Sequence, residues 1–379
     1  MELEIGVAEQ VGMSSQRIRR VADNIQRWVT EGHERATVAL VARKGTIVLR
    51  AAAGRMGSEP DSPPAGFDSE FLLCSLMKPI VATAAMTLVE EGALDIHFPV
   101  AYFVPEFTGE GKGSVTVFHL MTHTSGLRDK DVDAHAKTAQ DRNESTPADG
   151  STDPGAVYLA PRLSTPLWKP PGQEMAYANF NFALLGEVIR RVSGMPLPDF
   201  AKARLFSPLG MGHTYMSCRD FCKYHSPPPD PVSGVVAKNP CPGWSTFSAT
   251  NDLAAFAQML LDKGRCGETR ILAPLTVAAM TRNQIPGIGA RYGTEVFREA
   301  GWALGWSVVG SKTCEASGEP LLSSDTFCHG GAGGKHLWVD PVHQLVAVYL
   351  AEANERIPGK SLGDCGGLFI NSVMAAIEE

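Results

Sequence analysis

The sequence predicts an α/β (α+β) fold: an antiparallel sheet flanked by terminal helices, with a mainly helical lobe inserted into it. Strand-like text stands near both ends of the chain and helical text fills the middle. The 379 residues are enough to bury one large composite unit or two closely apposed lobes. The expected division puts residues 1–70 and 265–379 in a discontinuous sheet lobe and residues 71–264 in the helical lobe.

Taken in order, Ser15 to Gly32 reads as a first helix. Thr37 to Gly57 alternates β-branched and small residues about a Lys44-Gly45 turn, the pattern of a strand hairpin. A polar Pro/Ser/Gly passage, Gly57 to Asp68, separates it from an apolar segment ending in Cys74-Ser75-Leu76-Met77-Lys78. The i, i+4 series Ile80, Ala84, Leu88 and Val81, Ala85, Val89 mark a helix from Pro79 to Gly92, with Pro79 suited to its first turn and Gly92 as C-cap. Ser75 is therefore expected just before or inside the opening turn of a helix. Two irregular inserts, Asp129 to Thr152 and Tyr224 to Pro242, are rich in Pro, Asp, Ser and Asn. Loops of that length usually cover a site or move. Between them, Asn181 to Ser193 reads as an amphipathic helix closed by Gly194; beyond the second, Asn251 to Asp262 reads as another, with Thr250 as N-cap. Trp302 to Val309, Gly334 to Val339 and Gln344 to Leu350 read as strands, and Ser361 to Glu379 as a closing helix.

Composition excludes several classes of function. Hydrophobic residues at 44% and charged residues at 20% are those of an ordinary globular protein, neither disordered nor fibrous. A net charge of −7 gives no electrostatic footprint for nucleic acid or anionic lipid. No apolar run approaches the length that crosses a bilayer, so no membrane partner is expected. The opening residues carry Glu2 and Glu4 without a basic stretch and apolar core, so a cytoplasmic location is expected. Eight scattered cysteines read as reduced thiols. His213, Cys218, Cys222 and His225 include ligand types suited to zinc, but their spacing matches no common finger, and no metal or cofactor is expected.

The chemistry begins with the S-x-x-K run of Ser75 and Lys78. Residues three apart on a helix lie about 60° apart around the axis, so the serine and the amine share one face. A serine hydroxyl needs an adjacent base to become a nucleophile, and a partly desolvated lysine is such a base. A helix start adds a field favourable to developing negative charge. Alone, S-x-x-K is a common chance match. It is followed by Pro170-Pro171-Gly172-Gln173-Glu174-Met175-Ala176-Tyr177-Ala178-Asn179, by His119 to Leu127 (His-Leu-Met-Thr-His-Thr-Ser-Gly-Leu), by Ser207-Pro208-Leu209-Gly210-Met211, and by His329-Gly330-Gly331. With these runs the sequence resembles the serine β-lactamase and penicillin-binding-protein-like family. Its motifs are S-x-x-K, Y-x-N, and K-T-G or H-x-G on a strand, and the resemblance spans roughly residues 35 to 355.

The resemblance implies an acyl-enzyme on Ser75, with Lys78 and Tyr177 sharing its proton and either one serving as base. Asn179 would orient Lys78 and the substrate; His329, Gly330 and Gly331 would line the site. The backbone N–H groups of Ser75 and Ala332 would form the oxyanion hole. His119 and His123 stand at helical i, i+4 spacing, which also suits a metal, but their motif match favours a structural turn. Trp168 and Trp244 are candidate walls of an acyl pocket. Where the family holds a substrate carboxylate it usually has K-T-G; His329, neutral much of the time near pH 7, puts carboxylate binding in doubt. The expected substrate is a small or medium acyl ester, with water or another acceptor receiving the acyl group. A D-amino-acid peptidase or amidase, or a β-lactamase/DD-peptidase, is the nearest rival, and a non-catalytic acyl- or peptide-binding protein the alternative of another class. The G-x-S-x-G run at Gly359 to Gly363 has no histidine after it and cannot complete an α/β-hydrolase triad. Gly330 to His336 likewise fails the P-loop pattern.

Overall fold

The structure is a computed structural model and describes residues 3–142, 147, 150, 154–216, 246–292, 295–310, 319–353 and 365–379. Its centre is a seven-stranded sheet built from both ends of the chain: β1 (Glu4–Ile5), β2 (Glu34–Arg43), β3 (Thr46–Gly54), β4 (Ser307–Val308), β5 (Phe327–Gly331), β6 (Lys335–Asp340) and β7 (Leu345–Ala353). The strands run in the order β1-β3-β2-β7-β6-β5-β4. Every pairing is antiparallel except the short β1–β3 edge. The hairpin expected about Lys44-Gly45 is present. Both turn residues have positive φ (50° and 78°), the type I′ conformation whose twist matches that of the flanking strands.

The two faces of the sheet are sorted by the period of two along each strand. Ala39, Val41, Trp338, Ala347 and Tyr349 face the terminal helices α1 (Ser15–Thr30) and α6 (Gly366–Met374). Ile18, Val21, Ile25 and Trp28 recur along α1 at three- and four-residue steps, the stripe that a helix buries on a sheet. Val38, Leu40, Leu337, Val346 and Val348 face the other way, into a core shared with α2 (Met77–Glu90), α4 (Asn179–Ser193) and α5 (Thr250–Leu261). Helix α2 is buried almost all round, from Met77 to Leu88, which its nearly continuous apolar sequence requires. Among the described residues, no helix is long and apolar enough to cross a membrane.

Several local expectations change. Asp129 to Asp141, expected as the start of an irregular insert, forms helix α3, because Val132 and Ala136 bury one face and Asp129 and Asp131 sit in the favourable first turn. Thr250 is the first residue of α5 rather than its cap; Ala249 holds the capping position, and no side chain caps there. Of the strand expected over Trp302 to Val309, only Ser307–Val308 joins the sheet, and Trp302 meets Ser307 in an isolated bridge. Gly305, at φ 80°, turns the chain so that Trp302 and Trp306 both enter the core. Phe327–Gly331, marked in the sequence only by its motif, is a full sheet strand. The second insert, Tyr224 to Pro242, lies outside the described residues, as do Cys218, Cys222 and His225 of the candidate zinc set.

Candidate active site

Ser75 lies in a single 3-10 turn, Cys74–Leu76, that runs directly into α2. Cys74 adopts φ 50°, a left-handed conformation that costs a non-glycine residue energy and turns the chain sharply just before Ser75. Lys78 follows one turn later and is 3% exposed. Its Nζ donates to Ser75 Oγ at 3.0 Å and to Asn179 Oδ1 at 2.7 Å. It also lies 4.7 Å from the centre of the Tyr177 ring. The structure thus brings together Ser75, Lys78, Tyr177 and Asn179. The Tyr177 hydroxyl has no hydrogen-bond partner among the described residues.

A residue that no motif signalled completes this chain of contacts. Asp129, at the start of α3, accepts the Asn179 backbone N–H and side-chain Nδ2 at 2.8 Å each, and the Phe180 N–H at 3.1 Å. It caps a neighbouring helix, α4, whose first N–H groups have no partner within their own helix. With Nδ2 committed to Asp129, the Asn179 amide can only present Oδ1 to Lys78. Burial raises the Asp129 carboxyl above the usual carboxylate range, and the Asn179 and Phe180 amides and the charge of Lys78 offset part of that rise.

The far wall is β5 and the turn after it. Gly331 passes so close to the serine turn that a Cβ there would stand 2.2 Å from Leu73 O, a contact only glycine avoids. Ala332 follows, exposed, in the turn joining β5 to β6. That turn is tethered by buried Lys335, which donates to Gly333 O at 3.1 Å and pairs with Glu352 at 3.3 Å. His329 is 5% exposed, with its ring 6.4 Å from Tyr177 and 5.8 Å from Trp302 between centroids. Burial first, and the charge of Lys78 second, push its pKa down to about 3.

His123, from the His-Thr-Ser-Gly-Leu run, lies behind Tyr177 with ring centres 4.4 Å apart, and Trp302 lies 5.0 Å from it. Burial also holds its pKa well below the usual histidine value. Asn181 Oδ1 accepts from Ser125, so Asn181 Nδ2 is left to meet His123 Nδ1 at 3.2 Å, and the Ala178 N–H donates to the same nitrogen. His119 instead accepts the Thr116 N–H at its Nδ1, in a capping box. The two histidines thus serve structural turns, and among the described residues no group of three or more candidate ligands is placed to hold a metal. Trp168 stacks on Arg128 and Lys169, 4.1 and 4.5 Å from their charged groups, and lines a groove of about 410 Å³ with Pro166 and Leu167. It makes no ring or hydrogen-bond contact with Ser75, Lys78 or Tyr177. Trp244 lies outside the described residues.

Residues 21–362 match the Beta-lactamase family. The chain belongs to the beta-lactamase family. Its sheet and helical insert are those of the family's fold, shared at low sequence identity with enzymes of differing chemistry. A family VIII carboxylesterase superimposes with TM-score 0.70 at 21% identity, covering 96% of this chain and 99% of that one. EstCE1, a hydrolase with promiscuous acyltransferase activity, gives 0.71 at 22% over 96% and 99%. Simvastatin synthase (LovD) of Aspergillus terreus gives 0.73 at 17% over 96% and 98%. A Salmonella agona protein provisionally named D-alanyl-D-alanine carboxypeptidase is 25% identical over 90% of this chain and 84% of its own length. This beta-lactamase-family chain is a serine hydrolase.

Three outcomes test the geometry. Gly331→Ala must displace backbone on one side of the cleft; a shift near 1 Å costs about 100-fold in rate, read as kcat on an activated ester. Asp129→Ala frees the Asn179 amide to rotate and is expected to lower kcat by about 10- to 100-fold. It also loses roughly 1 kcal/mol of helix capping in urea unfolding. His329 is neutral when folded down to about pH 3, whereas in the unfolded chain it protonates below about 6.5. Between those values the unfolded state binds the extra proton, so stability falls as pH falls. From pH 7.5 to 5.0 this residue costs about 2 kcal/mol, and His329→Leu should remove that part of the acid sensitivity.

Proposed function

We propose that the protein is a serine esterase or transesterase acting on small to medium acyl esters through an acyl-Ser75 intermediate. The observation that carries this reading is the hydrogen bond from Lys78 Nζ to Ser75 Oγ, in a cleft whose third-motif residue is a neutral imidazole. Ser75 Oγ attacks the ester carbonyl carbon and gives its proton to the nearby base. The tetrahedral oxyanion is held between the Ser75 and Ala332 N–H groups, and the alkoxide departs with a proton. Water or an alcohol then attacks the acyl-Ser75 carbonyl by the reverse path and restores the serine. Losing one such oxyanion donor costs on the order of 3 kcal/mol in the barrier. Lys78, in direct contact with Ser75 Oγ, and Tyr177 beside it share the serine proton. Asn179 orients Lys78. Gly331 lets β5 lie against the serine turn at Leu73.

The carboxylesterase and acyltransferase neighbours support this chemistry by fold only. The provisional carboxypeptidase name of the Salmonella relative favours a second reading, hydrolysis of a D-amino-acid peptide. That reaction needs a partner for the peptide carboxylate, which a neutral His329 does not supply.

Hydrolysis of p-nitrophenyl acetate and butyrate separates the readings. The wild type should show a burst and an acyl adduct in intact-mass spectrometry; Ser75→Ala should lose both, with kcat at least about 1000-fold lower. Turnover of D-alanyl-D-alanine peptides without ester turnover would favour the second reading.

A further inference from the structure

The turn that presents the Ala332 N–H carries no side chain larger than a methyl group. Ala332, Gly333 and Gly334 join β5 to β6, and both glycines are left-handed, at φ 82° and 86°. Glycine loses more conformational freedom on folding than any other residue, so a turn of this composition keeps one shape only where bonds from outside impose it. The Ala351 N–H donates to Gly334 O at 2.9 Å, and Lys335 takes hold of the next carbonyl. The Lys335 side chain is 4% exposed and folds back so that Nζ donates to Gly333 O at 3.1 Å. Gly333 makes room for the amine: a Cβ there would stand 2.9 Å from Nζ. Glu352, buried on β7, pairs with the amine at 3.3 Å, and Arg35 pairs with the other Glu352 oxygen at 3.5 Å.

The same lysine borders the serine turn. Gly331, opposite it in the β5–β6 ladder, packs between Leu73 O and Lys335 Cβ, which a Cβ on Gly331 would meet at 2.2 and 3.2 Å. Burial raises the Cys74 thiol, and the charge of Lys335 offsets part of that rise. Lys335 therefore lies against both turns whose N–H groups, at Ser75 and Ala332, are the oxyanion donors of the acyl-Ser75 reading.

We propose that Lys335 is a positioning residue for the oxyanion hole: by bridging Gly333 O and the Glu352 carboxylate, it fixes the turn that aims the Ala332 N–H at the substrate oxygen. The inference rests on the acyl-Ser75 reading. A carbonyl needs a donor and a carboxylate a cation, and an ammonium on a flexible stem meets both at once. An oxyanion donor acts on charge that develops in the transition state, so its displacement lowers kcat and spares KM. A lysine that only held the fold together would change stability and leave kcat of the folded enzyme intact.

Lys335→Met removes the bridge at similar length and leaves Glu352 paired with Arg35, so no buried carboxylate is stranded. With the fold checked by circular dichroism, kcat on p-nitrophenyl butyrate should fall about 10- to 100-fold while KM stays within about twofold of the wild type. A kcat within about threefold of the wild type, or a loss carried by KM, overturns the proposal. If Lys335→Met does not fold, the double variant Lys335→Met/Glu352→Leu exchanges the whole pair for apolar residues and supplies the same comparison. Diethyl p-nitrophenyl phosphate gives a readout free of acyl preference: Ser75 Oγ bonds to phosphorus, p-nitrophenolate leaves, and the adduct is followed by intact-mass spectrometry. Its formation should slow at least about tenfold in Lys335→Met, and equal rates overturn the proposal. Labelling of a wild type that turns over no ester overturns the esterase reading alone, and the labelling rates then decide. A wild type that neither labels nor turns over overturns the acyl-Ser75 reading and the proposal with it.

Discussion

The arrangement depends on one buried amine. Lys78 Nζ is held by Ser75 Oγ on one side and Asn179 Oδ1 on the other, and among the described residues no carboxylate pairs with it directly. Burying an amine with only neutral partners is demanding, so both partners must be fixed. The strained turn at Cys74 fixes the first, and Asp129 fixes the second by taking up the other end of the Asn179 amide. The Asp129 carboxylate therefore reaches Lys78 through an amide rather than by contact. That arrangement steadies the amine without locking its proton in an ion pair. It also explains why α3 and α4 must meet where they do: one carboxylate caps α4 and orients the amide at once.

Behind this line of contacts stands an aromatic wall, and its two imidazoles take opposite tautomers. His329 carries its hydrogen on Nδ1, toward Gly330. His123 receives N–H groups at Nδ1 from Ala178 and Asn181, so its hydrogen resides on Nε2. Both are buried, and the positive charge of Lys78 disfavours protonation of each. Among the described residues, neutral imidazoles leave Lys78 as the one cation beneath the Tyr177 and Phe182 rings. His123 keeps its position through a left-handed backbone at φ 55°, the second non-glycine residue at the site held that way.

The sheet and the helices with clear periodicity are legible in the sequence because each buries one face at a period of two or 3.6. The serine turn, the Y-x-N segment and the H-G-G strand are legible through their resemblance to the family's motifs, S-x-x-K alone being a common chance match. Asp129 is not. It stands in a polar stretch that reads as a loop, and its partner lies 50 residues away, so neither pattern nor composition marks it. Trp302 reads as a strand residue; the left-handed Gly305 that turns it inward has no signal beyond being a glycine. Trp168 reads as a wall of the pocket, and in the structure its face is taken by Arg128 and Lys169.

That stack bears on the charge of the substrate. Arg128, Lys169 and Arg291 surround Trp168, yet Arg128 pairs with Asp131, and Lys169 and Arg291 share Glu174. A substrate carboxylate reaching this groove would have to displace an acid already in place, and exchanging one partly exposed ion pair for another contributes little. Inside the cleft the corresponding position belongs to His329, which is neutral. The cations around Trp168 are thus already paired, and the third-motif residue is neutral, while the charge of Lys78 remains next to the serine. The cleft directs its positive field at the charge that develops during acyl transfer rather than at a charge the substrate brings, the distribution that favours the transition state over the bound ester.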